Sequence, residues 1–274
     1  MRPPSSASPD VRTARVPKWV AGLVGIVVFL LLAQLAGETV IGRSTLPLAS
    51  TVVAEAGRLL GNGQFLTDLA ATVEAWALGM AITVAFGVPV GLVLGSVPVV
   101  RSATRAIVEF LRPIPSVALI PLVALVLGVG LRMDVTLIVY ASIWPVLFNT
   151  IYGLEGVDPV AKDTLRAFGF GRIAVIRRVS LPAAAPFIAT GIRIASSIAI
   201  ILNVSTGIIT GRIDGDGIGA FIADANTANN VSQVLAAALL AGLLGLALNE
   251  LLVWAERRAL PWHRAYLGEG VTEG

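Results

Sequence analysis

Residues 163–182 read DTLRAFGFGRIAVIRRVSLP, from Asp163 to Pro182. Five charged side chains and two glycines stand together in a chain that is otherwise strongly apolar. Of its 274 residues 56% are hydrophobic and 14% charged, and the mean hydropathy is +0.85. Soluble domains of this size do not show that balance, so the chain is a multi-pass integral membrane protein of all-α class. The polar island therefore belongs to an aqueous connection between spans. Just before it, Asp158-Pro159 is a helix start, with Asp as N-cap and Pro pre-set at the first helical position. Ala161, Leu165 and Phe168 follow at helical spacing, and Gly169 and Gly171 end that helix. A second short helix follows, with Ile173, Ile176 and Val179 on one face. Arg177 and Arg178 fall in its last turn, where cations favour the helix dipole, before Leu181-Pro182 turns the chain into the next span. The spacing predicts a helix-turn-helix; the plain alternative is an amphipathic inter-span loop.

Working outward, the apolar runs define about six spans: 19–36, 68–97, 113–131, 135–152, 183–210 and 231–255. Residues 1–18, rich in Pro, Ser and Arg, read as a disordered tail. The first span reads as an uncleaved helix, because Gln34 spoils the small-x-small pattern of a signal-peptide cleavage site. Residues 37–67 form a connection with an amphipathic helix, STVVAEAGRLL, whose apolar face is Val52, Val53, Ala56, Leu59 and Leu60. Residues 68–255 make the transmembrane domain, and 256–274 a C-terminal tail. In the second span Gly87, Gly91 and Gly95 recur every fourth residue, a packing surface for a neighbouring helix or, less expectedly, a dimer seam. Pro89, Pro121 and Pro145 each remove a donor inside a span and predict kinks.

Basic residues fix the orientation. With the N-terminus inside, the inner segments hold Arg2, Arg12, Arg15, Lys18, Arg101, Arg105, Arg112, Lys162, Arg166, Arg172, Arg177, Arg178, Arg257, Arg258 and Arg264. The outer segments hold only Arg43, Arg58, Arg132 and Arg212. Both termini and the 163–182 segment are thus expected to be cytoplasmic, and Arg193 snorkels to the inner interface. The net charge of +3 is explained by this topology rather than by nucleic-acid binding.

Several chemistries are excluded or unsupported. There is no cysteine, and the single histidine is His263, so thiolate chemistry is absent and no metal or catalytic constellation is expected. A phosphate-binding loop needs G-x-x-x-x-G-K-[ST], but Lys18 follows Pro17 and Lys162 follows Ala161. The chain is not expected to bind or hydrolyse ATP itself.

The 163–182 segment resembles the cytoplasmic EAA loop of bacterial ABC-importer permeases: Glu-Ala-Ala, three residues, Gly, nine residues, Ile-x-Leu-Pro. Asp163-Thr164-Leu165, Gly169 and Val179-Ser180-Leu181-Pro182 fall at those spacings, with Asp-Thr-Leu a degenerate form of Glu-Ala-Ala. RPIPSVALIPLVALVLGVG, ATGIRIA and GDGIGAFI resemble the branch that serves nitrate, aliphatic sulfonates and taurine. The resemblance spans roughly Leu46 to Tyr266. It implies a type I importer permease fold in a bacterial inner membrane, with a cytoplasmic coupling helix-turn-helix. It also implies two cytoplasmic ABC ATPase subunits that hydrolyse the ATP, an extracytoplasmic solute-binding protein, and a second copy of this chain or a second permease. The coupling positions it implies are Asp163, Thr164, Leu165, Arg166, Ala167, Phe168, Gly169, Gly171, Arg172, Leu181 and Pro182. Leu165 and Phe168 would fill a groove on the ATPase, Asp163 and Arg166 would sit on its rim, and Gly169 would turn at positive φ.

Polar side chains at membrane depth are the candidates for a translocation path: Asn149, Ser196, Ser197, Asn203 and Thr206, with Ser205 and Asn249 as further candidates. Asn203, at mid-span, is the leading one; most of the hydroxyls are expected to bond their own helix carbonyls. In the related permeases an acidic residue often stands where Thr210 stands here. Asp214 and Asp216 faintly resemble a calcium loop, but no Glu follows at the required offset, so a turn and re-entry is expected there. An ATP-driven importer subunit is the leading reading; a passive channel or ion-coupled carrier is the alternative, and it leaves the loop unexplained.

Overall fold

The computed structural model describes residues 25, 28, 34, 47–211 and 217–261. The expected N-terminal tail, residues 262–274 of the C-terminal one, the body of the first span and the Asp214–Asp216 turn lie outside them; residues 256–259 of the expected tail continue the last helix. Contacts divide the chain into two units, Met1–Ala54 and Glu55–Gly274. In the first, the Ser50 amide donates to Gln34 Oε1 at 3.4 Å. Helix α1 (Ala49–Leu59) crosses the division; Ala56 and Leu59 are buried, whereas Val53 and Leu60 are about half exposed. Its buried stripe is thus narrower than the five-residue face read from the sequence.

The second unit is a helical bundle, with no strand among the described residues. Helix α2 (Gly63–Ser96) begins at Asn62, whose side chain accepts from the Gln64 and Phe65 amides. A turn at Val97 leads to α3 (Pro98–Leu111), then a 3₁₀ turn (Ser116–Leu119) and α4 (Ile120–Leu127). Next come α5 (Leu131–Glu155), α6 (Pro159–Ala167) and α7 (Arg172–Val175). After a π-helical turn (Ile176–Ser180) come α8 (Leu181–Thr210), α9 (Ile218–Thr227) and α10 (Val231–Ala259). Among the described residues, four helices are long and apolar enough to cross a membrane: α2, α5, the continuous Arg172–Thr210 helix and α10; α3 and the 116–127 segment make a fifth if they count as one span bent by 75°.

Two expectations about helices are corrected. The span expected over 113–131, kinked at Pro121, is instead the second member of a broken pair, because Pro113 and Pro115 interrupt the chain after Arg112 and the helix restarts only at Ser116. Pro121 consequently sits in the first turn of α4, where its missing N–H costs nothing, while Pro89 and Pro145 do lie inside helices. The second helix of the 163–182 segment does not stop at Leu181-Pro182. The Leu181 amide bonds the Ile176 carbonyl five residues back, so the helix widens by one residue just before Pro182 and runs on into α8. Arg177 and Arg178 therefore do not close a helix, and no dipole argument applies to them.

Small residues set the packing. A Cβ on Gly79 would lie 2.4 Å from Ile138, on Gly91 2.7 Å from Thr150, and on Gly95 2.6 Å from Leu154. The glycine row of α2 is therefore the seat of α5 within this chain, the packing expected over a dimer seam. On the other side of α5, a Cβ on Gly191 would come within 2.8 Å of the Pro145 carbonyl oxygen. The apolar centre, with Trp76, Met80, Ile138, Val146, Ala195, Ala199 and Leu248, lies where α2, α5, α8 and α10 meet.

Candidate functional site

The 158–182 segment projects from one end of the bundle. Asp158 caps α6 by accepting from the Val160 amide at 2.8 Å. At the other end Gly169 has φ +82°, the left-handed conformation expected of it. The Gly169 amide bonds the Arg166 carbonyl at 2.9 Å and the Phe170 amide bonds the Leu165 carbonyl at 3.1 Å. Those two bonds are a Schellman closure, which satisfies carbonyls the helix end would leave orphaned. Gly171 is extended instead, with φ −71°.

Around this turn the apolar side chains are displayed rather than buried. Phe168 is 78% exposed, Ile173 81% and Val160 69%. Leu165 is half buried, so the exposed apolar side chains here are Val160, Phe168, Phe170 and Ile173, of which only Phe168 belongs to the expected Leu165–Phe168 pair. Asp163 and Arg166 pair with each other at 2.8 Å on the exposed side, and Thr164 bonds its own helix at Val160. The Arg178 guanidinium lies 4.8 Å from the Phe170 ring centre, bracing the turn against the root of α8. Ala167 and Arg172 are exposed; Leu181 and Pro182 are half buried. The segment is tied to the bundle by Lys162, which donates to the Leu154 carbonyl at 3.1 Å, and nearby Arg101 of α3 pairs with Glu155 of α5.

The polar residues within the spans are placed differently from expectation. Asn203 is only 7% exposed, and its amide donates to the Thr72 carbonyl of α2 at 3.0 Å; it joins two helices and faces no open space in this chain. Ser196 is buried and its Oγ accepts from Trp76 Nε1 at 3.1 Å. Thr206 is buried on the Leu202 carbonyl, and half-buried Asn149 bonds the Pro145 carbonyl at 2.8 Å. These four satisfy their polar groups inside the protein, as a low-dielectric surrounding demands. Ser197 alone of the five is exposed. It lies on the open side of α8 with Ile194, Ile201 and Ile208, which are 45–66% exposed. Thr210 bonds the Thr206 carbonyl, and Asn249 accepts from Arg193 Nε at 3.3 Å.

Residues 87–261 match the family model described as the binding-protein-dependent transport system inner membrane component. That match covers well over half of the chain. The chain belongs to this permease family. The taurine transport system permease protein TauC of Escherichia coli is 33% identical over 199 residues, covering 71% of this chain and 70% of that protein. The nitrate import permease protein NrtB of Leptolyngbya laminosa is 29% identical over 194 residues, covering 71% and 68%. In fold the permease resembles a chain of a bacterial alginate ABC transporter solved with its alginate-bound periplasmic protein. The TM-score is 0.61 at 15% identity, over 89% of this chain and 95% of that one. A chain of the inward-facing methionine ABC transporter MetNI gives 0.57 at 20% identity, over 74% and 95%. The permease is thus an inner-membrane, multi-pass transport subunit with the type I importer fold, and the passive-carrier alternative falls away.

One polar cluster of this permease was not singled out by sequence. Asp68 is fully buried and accepts from the Gly217 amide at 3.3 Å, while Thr72 Oγ1 accepts from the Ile218 amide at 2.9 Å. Gly217 has no side chain with which to cap α9, so α2 supplies the cap from about 150 residues away. The readable signal was an Asp and a Thr four residues apart on the inner face of an otherwise apolar helix.

Proposed function

We propose that this permease is the membrane subunit of an ATP-driven importer for a small oxyanion-bearing solute of the taurine, sulfonate or nitrate kind. It works as a two-fold pair of copies, driven by two separate cytoplasmic ABC ATPases and fed by an extracytoplasmic binding protein. The observation that carries the coupling part is the Schellman-closed α6 turn. It holds Val160, Phe168 and Ile173 outward, where no described residue covers them. Apolar side chains held rigidly in view fit a partner's groove. Asp163 and Arg166 lie on the rim, and the Arg172–Thr210 helix carries any displacement of the loop straight into the bundle without a hinge. The substrate class rests on the relatives' names, and the basic-residue count supports cytoplasmic termini. ATP binds to the partner, since this chain carries no phosphate-binding loop. In a pair of copies, the open side of α8 with Ser197 is the surface left to line a path.

The test is a mild-detergent pull-down from the native host with ATP hydrolysis assayed. Wild type retains a nucleotide-binding subunit; Phe168→Asp loses it while remaining folded, because Phe168 touches little of its own chain. Retention of the ATPase by both would sink the coupling role. Uptake of taurine, an alkanesulfonate and nitrate, each competed against the others, then fixes the solute; uptake of none would remove the substrate class and leave the coupling intact.

A further inference from the structure

A second feature lies at the root of the loop, facing the bundle. There a cleft of about 450 Å³ is bounded by the end of α2, the start of α3, α6 and the π-helical turn. Lys162, Arg166 and Arg172 all line it, and none of its lining residues is acidic. Arg166 is partly neutralised by Asp163. Among the described residues Lys162 meets only the Leu154 carbonyl and Arg172 has no partner. Two further groups converge on the same space. The fourteen-residue helix α3 starts on the cleft at Pro98–Val99, and its N-cap, Val97, provides no side-chain acceptor. Its first amides and the positive end of its dipole are thus left without an anionic partner. Ser180, only 5% exposed, also lines the cleft, and its hydroxyl has no hydrogen-bond partner among the described residues.

We infer that this cleft binds a tetrahedral oxyanion, a phosphate or sulfate group, with Lys162 and Arg172 as its cations and the Ser180 hydroxyl and the α3 amides as its neutral donors. Every one of these groups donates, which is the requirement of an anion site and the reverse of a cation site. The volume falls within the range of about 300–1,000 Å³ typical of small-molecule pockets, so the oxyanion has room for the organic group that carries it. A phospholipid headgroup and a free phosphorylated or sulfonated solute share this chemistry. Because the donors come from α3, α6, α7 and the root of α8, an occupant ties the coupling loop to the bundle. The site lies on this chain alone, so its test needs no ATPase and does not depend on the importer reading.

The experiment uses the full-length permease in nanodiscs and in detergent. In phosphatidylcholine nanodiscs, sodium phosphate is titrated against sodium chloride at matched ionic strength while the thermal midpoint is followed. In detergent, native mass spectrometry counts retained phosphatidylglycerol against phosphatidylcholine. The comparison is wild type against K162Q/R172Q, since general salt stabilisation persists in the variant and site binding does not. A phosphate-induced rise in midpoint that the variant loses identifies a free oxyanion as ligand; selective phosphatidylglycerol retention that the variant loses identifies a lipid headgroup. If the double variant does not accumulate, Ser180→Ala, which keeps all the charges, is expected to weaken the same binding several-fold. No difference between wild type and the variants in either assay overturns the site.

Discussion

Replacing Gly169 by valine isolates the geometry of the loop from its chemistry. A Cβ at this position meets nothing within 4 Å, so no packing penalty arises. What remains is the backbone: φ is +82°, and an L residue held in the left-handed region costs about 1–2 kcal/mol. A β-branched side chain stands at the upper end of that range. The cost falls on the conformation in which Gly169 and Phe170 donate to the Arg166 and Leu165 carbonyls, so the chain escapes it by opening the Schellman closure. A penalty of that size lowers the population of the closed turn by a factor of about 5–30. Uptake by cells carrying the complete importer should fall by up to that factor, with membrane abundance unchanged by immunoblot. Asparagine tolerates the left-handed region, so Gly169→Asn should keep most of the activity. Equal activity in the two variants, whether both normal or both lost, would refute the backbone argument, since it would show that φ at residue 169 does not decide the outcome.

The interior yields further expectations. Gly91→Val should lower the thermal midpoint in detergent, because its Cβ would lie 2.7 Å from Thr150 Cβ and overpacking of this kind costs about 1–3 kcal/mol; Gly242→Ala, which meets open space, should not. Asp68→Ala should destabilise by about 1–3 kcal/mol by stripping an acceptor from the buried Gly217 amide, and Asp68→Asn, which retains an acceptor, should lose less. A double-mutant cycle of Trp76→Phe and Ser196→Ala should show a coupling of about 1 kcal/mol in unfolding, the worth of the bond across α2 and α8.

The spans that were legible in the sequence are those whose apolar run is unbroken by charge. Helices α2, α5, α8 and α10 were anticipated to within about five residues at each end. The α6 turn was legible because its signals are local: the Asp158-Pro159 start and a glycine where the chain needs φ above zero. The 98–127 region was not, since Arg101, Arg105, Glu109 and Arg112 mask a helix that Pro113 and Pro115 then break. The continuity of Arg172–Thr210 was hidden for a related reason. Leu-Pro reads as a stop unless the preceding turn widens to accommodate the proline, and nothing in the one-dimensional pattern announces a π-helical turn.

The least legible property was the direction in which a polar side chain points. Polarity at membrane depth singled out Asn203, Ser196 and Thr206, yet each has its partner inside the bundle, and the partner of Asn203 is 131 residues away in α2. The cause is energetic. A lone subunit with long apolar helices gains little from apolar contact in lipid, so its helices are held by close approach at glycines and by buried polar ties. Residues that look like a polar path are thereby used as glue. In the proposed pair of copies a path falls to side chains exposed in the single chain, and on α8 that surface is Ser197 flanked by Ile194 and Ile201. That surface carries one hydroxyl, Ser197, among isoleucines and no charge, so it offers a solute little to grip. In the proposed importer, selection then falls to the binding protein that delivers the solute.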